Sequence, residues 1–184
     1  MKLMSSMALV LVCLSTTVMA TTPAPPPCSM EFPAGIMMLC LEGDEWEILS
    51  PPPPALMAFS NSSAPGSVIE LLPGTLPTGQ TNRADPVSLA RWLAEALRHA
   101  ERPLETGERI VLFNRQEPPV FKVRNDGTPG QTDQLVSPVF RGARVQIVRT
   151  FREGSALGSK DFEFHSAFIA SIIQSNSLLG GKVR

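Results

Sequence analysis

Apolar residues in this chain fall mostly in short runs with the spacing of strands, and at helical spacing in only two places. Ile36–Leu41 is a continuous apolar run, and Trp46–Leu49 follows it after the turn Glu42-Gly43-Asp44-Glu45. Ala55–Phe59 and Val68–Leu72 read as two further strands, separated by the turn-rich Ser60–Ser67. Pro51–Pro54 interrupts the pattern, because proline has no N–H to give to a ladder and holds the backbone extended. The first half therefore predicts an antiparallel meander.

Pro73–Ala84 is a polar loop, after which a helix begins. Asp85 is placed to accept orphan amide protons as N-cap, and Pro86 sits at the first helical position. Leu89, Leu93, Ala96, Leu97 and Ala100 form its apolar stripe. Arg91 and Glu95 stand at the spacing of a surface ion pair, and Pro103 closes the helix. Strands resume at Glu108–Arg115 and Val120–Arg124, a candidate hairpin across Pro118-Pro119, and Asn125–Thr132 is strong turn chemistry. Arg144–Arg152 shows the clearest alternation. Val145, Ile147 and Phe151 share one side and Arg144, Gln146, Thr150 and Arg152 the other, which predicts one buried and one largely wet face. A last helix, about Asp161–Ser175, carries the stripe His165, Phe168, Ile169, Ile172 and Ile173. Strands around single helices predict an α+β fold, an antiparallel β-sheet packed against two α-helices in an αβ sandwich.

The first twenty residues read as a secretory signal peptide. Lys2 supplies the positive start, Met7–Leu14 the apolar core, and Val18-Met19-Ala20 the small-residue cleavage site. That core is too short to span a bilayer, which needs about 20 apolar residues. The expected organisation is signal peptide 1–20, proline-rich tether 21–27, one α+β domain 28–179 and a flexible tail 180–184. The destination is the periplasm or the exterior, with no membrane span in the mature chain. In such an oxidising setting the two cysteines left after cleavage, Cys28 and Cys40, predict one disulfide. A loop of that length contributes about 3 kcal/mol in the chain-entropy picture.

The order of elements resembles the PsbP-like fold, which includes the extrinsic photosystem subunit and DcrB-type periplasmic domains. The stretches that carry the resemblance are Glu31-Phe-Pro-Ala-Gly35, the Asp85-Pro86 helix after a β-meander, and Arg144–Arg152 followed by the helix ending Ile172-Ile-Gln-Ser175. It spans roughly residues 30–179. The Cys28–Cys40 pair and Pro51–Pro54 are not general features of that fold. Such domains serve mostly as binding or assembly modules, so the resemblance implies no catalytic residue.

The charge balance is close to even, with 16 Lys+Arg against 17 Asp+Glu, and there is no tyrosine. Nucleic-acid binding wants clustered phosphate-neutralising cations and aromatic stacking platforms, and the chain has neither. Serine-nucleophile elbows, zinc-protease, phosphate-loop and dinucleotide motifs are missing. Gly154-Ser155-Ala-Leu-Gly158 has the wrong spacing for an elbow. The two histidines read as surface (His99) and boundary (His165) residues. Met30, Met37, Met38 and Met57 invite soft-metal binding, but Met37 and Met38 lie in an apolar strand and read as packing. No cofactor, metal or catalytic residue is expected.

What remains is recognition. The acidic turn Glu42, Asp44, Glu45 and Glu47 around Trp46 is the candidate partner contact, since tryptophan is enriched at binding hot spots. Asp44, Glu45, Trp46 and Glu47 are its proposed members. The expectation is an exported, non-enzymatic protein-binding domain, such as an immunity or inhibitor protein against a toxin acting in the cell envelope. The alternatives are an accessory subunit or escort of an envelope transport or secretion complex, and a small hydrolase with an unrecognised site.

Overall fold

The structure, a computed structural model, describes residues 30–75, 85–115, 117–125, 133–142 and 144–179. Its strands are β1 (Met30–Ala34), β2 (Met37–Leu41), β3 (Trp46–Leu49), β4 (Met57–Asn61) and β5 (Ser67–Gly74), followed by helix α1 (Pro86–His99). Then come β6 (Glu108–Asn114), β7 (Val120–Asn125), β8 (Gln134–Arg141), β9 (Arg144–Arg152) and helix α2 (Ser159–Leu179). β3 to β9 form one antiparallel seven-stranded sheet in the order β3-β4-β5-β9-β8-β7-β6, while β1 and β2 pair as a separate hairpin. The fold is α+β, as expected.

β9 is the middle strand, held by β5 on one side and β8 on the other. Its alternation separates two cores. Val145 and Ile147 join Leu72, Val136, Phe121 and Val123 beneath the α1 residues Leu89, Trp92, Leu93 and Leu97. Val148 faces the opposite way, with Ile69, Leu71 and Phe59, beneath Phe164, Phe168, Ile169 and Ile172 of α2 and Met37, Leu39 and Leu41 of β2. The two helices thus cover opposite faces of the sheet, and the β1–β2 hairpin shares its face with α2.

Local chemistry fixes both helix starts. The Asp85 carboxylate accepts from the Ser88 hydroxyl and from the Ser88 and Val87 amides, and these bonds, the hydroxyl's first, hold it below the usual aspartate range. In α2, Asp161 reaches back to accept from the Gly158 amide at 2.6 Å, the returning half of a capping box. α1 ends in a paired turn, with Glu101 N–H bonded to the Arg98 carbonyl and Arg102 N–H to that of Leu97. Glu101 takes the left-handed position at φ 53°, where glycine is usual.

Several expectations are corrected. The first half is not one meander, because β1–β2 leaves the main sheet. The face of β9 expected to be wet is buried at its centre: Gln146 is 1% and Thr150 0% exposed, since a central strand is covered on both sides, and only the end residues Arg144 and Arg152 of that face reach solvent. β8 falls in a stretch not expected to be a strand, because Ser137-Pro138 breaks its pattern. Proline is tolerated there because the ladder with β7 runs only from Gln134 to Val136, leaving Pro138 with β9 as its neighbour. Glu95 pairs with Arg98 and with His99 at 3.2 Å, in place of the expected Arg91. The signal peptide, tether and tail lie outside the described residues. So does Cys28, and the described contacts therefore do not include the expected Cys28–Cys40 disulfide; Cys40 itself is buried on β2.

Candidate functional site

The acidic turn stands between β2, whose Met37, Leu39 and Leu41 are core, and the edge strand β3. Gly43 takes φ 84° at the bend, and no atom lies close to where its Cβ would be. Glu42, Asp44, Glu45 and Glu47 are exposed. Trp46 is not. It is half-buried, with its ring 5.2 Å from that of Phe164 and 5.7 Å from that of Phe168 on α2. The backbone is pinned as well, since the Ser62 amide donates to the Glu45 carbonyl at 3.1 Å. On the other face of β3, Glu47 accepts from the Ser60 hydroxyl at 3.4 Å. The four candidate contacts are thus together, but they divide the work. Trp46 anchors, and the carboxylates and the neighbouring Ile48, 48% exposed, face outward.

The other histidine-centred arrangement lies on the α2 side of the sheet. His165 Nε2 is 2.9 Å from the Ser137 hydroxyl and its Nδ1 is 2.7 Å from that of Thr150. A serine beside a histidine resembles the start of a nucleophilic triad, but the group behind this imidazole is a threonine hydroxyl rather than a carboxylate. All three side chains have 0% exposure. Burial drives the His165 pKa down from 6.5 to about 3, so the ring is neutral and bridges two hydroxyls. It is a cross-layer tie without access for a substrate. His99 is exposed on α1, beside Glu95.

One turn before His165 on α2, Asp161 accepts from the Ser67 hydroxyl and from Arg152 at 2.8 Å. Burial raises its pKa, but the bonds from Ser67, the Gly158 amide and Arg152 outweigh that and leave it below the usual range. On the α1 face, Glu70, 3% exposed, receives Arg149 at 2.9 Å and Arg102 at 3.4 Å. Arg149 also donates to Gln134 Oε1 at 2.6 Å, and its guanidinium lies 4.3 Å from the centre of the Phe151 ring. The left-handed Glu101 turn brings Arg102 back to the sheet for this network. Each charge there is paired, which is what buried ions require.

A cleft of about 450 Å³ opens at the far end of β2 from the acidic turn, lined by residues including Ile36, Leu56, Arg144 and Gln146. Gln146 Oε1 accepts the Ile36 amide at 3.0 Å, while its buried Nε2 finds no hydrogen-bond partner. Gly35 lies against this amide: a Cβ there would come within 2.5 Å of Gln146 Oε1. Sequence reasoning missed both this amide and the Glu70 network, because each joins residues far apart in the chain.

Met37 is core, Met38 half-buried, and Met57 packs at the core edge, so these three are packing residues, while the Met30 side chain lies outside the described residues. Among the described residues, no cluster of three His, Cys, Asp or Glu side chains is arranged to hold a metal ion, and no helix is long and apolar enough to cross a membrane. No known protein-family profile matches the chain, and comparison with curated proteins likewise finds no match.

Proposed function

We propose that this is an exported, non-enzymatic domain that binds another protein through the acidic turn, as an immunity or inhibitor protein does when it neutralises a toxin in the cell envelope. The observation that carries the reading is the turn itself. Three exposed carboxylates, Glu42, Asp44 and Glu45, are presented on a backbone whose next residue, Trp46, is fastened to Phe164 and Phe168. A preorganised loop binds without the cost of ordering it. Its charge selects a basic surface on the partner and steers the encounter.

Export rests on the sequence of residues 1–20, and the PsbP-like arrangement on the sequence pattern. The Cys28–Cys40 bond belongs to the same proposal, supported by the buried position of Cys40, which is engaged rather than free. Thiol counting on denatured protein from the oxidising compartment checks it. We expect no free thiol before reduction and two after; two free thiols at the outset would remove the bond from the account.

The partner is sought by immobilising the mature protein and capturing ligands from envelope extracts of its native source. A single basic protein, released by raised salt because surface charge pairs are screened over about 10 Å at 0.1 M, supports the immunity or inhibitor reading. Recovery of several subunits of one transport or secretion complex favours the accessory role that the proline-rich tether suggests. Turnover of a small substrate by the purified chain, with no partner recovered, would overturn the binding reading.

A further inference from the structure

The sheet has two outer edges, and they differ. β3 is four residues long, runs into Ser50 and Pro51–Pro54, and carries exposed Glu47 with exposed Glu45 just before it. Short length, charge and proline are the usual guards that stop a sheet edge from pairing with another chain. β6 is seven residues long, Glu-Arg-Ile-Val-Leu-Phe-Asn, contains no proline, and carries charge only at its first two positions. Among the described residues its one ladder neighbour is β7. Val111 is 37% and Phe113 51% exposed on the α2 side of this edge, where Phe113 meets Phe162 at 5.2 Å between ring centres.

We propose that β6 is a self-complementary edge, and that two copies of this chain pair antiparallel along it about Val111. A two-fold axis perpendicular to the joined sheet sets opposite each other residues that share a face, so the axis must pass through a residue position. A centre at Arg109 places two guanidinium groups opposite each other. A centre at Ile110 sets Glu108 against Leu112 and Arg109 against Val111, leaving both charges against apolar side chains. A centre at Leu112 leaves Arg109 outside the pairing. A centre at Val111 sets Ile110 against Leu112 on the α1 face, Val111 against its own copy on the α2 face, and Arg109 against Phe113. This last register alone uses Arg109–Phe113 in full with no like charges directly opposed, and cross-strand apolar pairs are favourable; the Phe113 ring already holds Lys122 Nζ 3.8 Å from its centre, so no cation–aromatic gain is counted for Arg109. The bulge falls on Phe113, between Leu112 and Asn114, and leaves the central pairs of Ile110, Val111 and Leu112 regular. The register also brings the partly exposed Val111 and Phe113 of both copies into one covered patch.

An edge-to-edge contact is small, at the weak end of specific interfaces (about 1,200 Å² or less in total), so a reversible dimer is expected. Sedimentation velocity on the purified chain, from about 1 µM to about 1 mM, spans that range of affinity. The sedimentation coefficient should rise with concentration. Val111→Glu, which sets two carboxylates opposite each other across the dimer but within each chain faces Lys122 of β7, should weaken the dimer by about tenfold or more while leaving the melting temperature of the monomer in place. A second variant keeps the test independent of that substitution: Val111→Cys, mildly oxidised, should give a crosslink joining position 111 to position 111. Arg109→Cys, whose opposite residue is Phe113, should give no crosslink joining position 109 to itself. A chain that stays monomeric throughout, a dimer that Val111→Glu leaves intact, or equal crosslinking at 109 and 111 would each overturn the proposal.

Discussion

His165 shows what a single buried side chain contributes. Neutral imidazole has one donor and one acceptor nitrogen, and the hydroxyls of Ser137 and Thr150 can supply whichever role each nitrogen lacks. Protonation would leave a charge at a site with 0% exposure, which is why the pKa falls from 6.5 to about 3. In the unfolded chain the ring binds a proton near pH 6.5; in the folded chain it does not until about pH 3. The stability this represents is therefore complete above pH 6.5 and is lost as the pH falls towards 3, at about 1.4 kcal/mol for each unit between the two values. Melting followed from pH 8 to pH 4 should show the native protein weakening steadily below about pH 6.5. His165→Gln, which keeps one donor and one acceptor but does not titrate, should flatten that slope. An unchanged slope would place the acid sensitivity elsewhere. Asp161 adds a further loss at more acidic pH, because its lowered pKa makes its stabilisation fail only as its own carboxylate is protonated.

At the scale of elements, α1 rests on its buried stripe more than on its cap. Leu93 is fully buried between the helix and Ile147, Val145 and Phe121 of the sheet-side core, so Leu93→Ala should cost about 2–5 kcal/mol in chemical unfolding. Asp85→Ala removes bonds made at an exposed helix end and should cost clearly less. Equal losses would mean that the helix is not packed as described. For β3 the corresponding test is Trp46→Ala. Its ring packs on Phe164 and Phe168, so truncation should destabilise the free protein by about 3 kcal/mol, near the low end for aromatic residues because Trp46 is only half-buried.

The elements that were legible in sequence share one property: their signal is local. β3 and β9 have the expected bounds, because turn residues and alternating apolar positions frame them. Asp85-Pro86 announces α1 in the same way. What was not legible depends on neighbours distant in the chain. Both faces of β9 are buried at its centre because β5 and β8 flank it and separate layers cover it, and the chemistry of Gln146 and Thr150 argued the reverse. Ser137 and Pro138 hid β8, since nothing local says that Ser137 meets a histidine in α2 or that the β7 ladder stops before Pro138. At the candidate site the acidic cluster was evident in sequence, whereas the anchoring role of Trp46 required the position of α2.

The molecule as a whole is a sheet with α1 on one face and α2 beside the β1–β2 hairpin on the other. Polar ties cross its layers: His165 joins α2 to β8 and β9, Asp161 joins α2 to β5 and β9, and Arg102 joins the turn after α1 to β5. Such ties keep the layers in one register, and the acidic turn inherits that rigidity through Trp46. The central claim is that the turn's carboxylates recognise a partner while its tryptophan holds the turn in place. The direct test is the dissociation constant of the captured partner for the native protein and for the double variant Asp44→Lys, Glu45→Lys, measured beside their melting temperatures. Reversing two exposed charges should weaken binding by about 2 kcal/mol or more, roughly thirtyfold, and leave melting unchanged. Undiminished affinity in the folded double variant would contradict the account and place the binding surface elsewhere on the molecule.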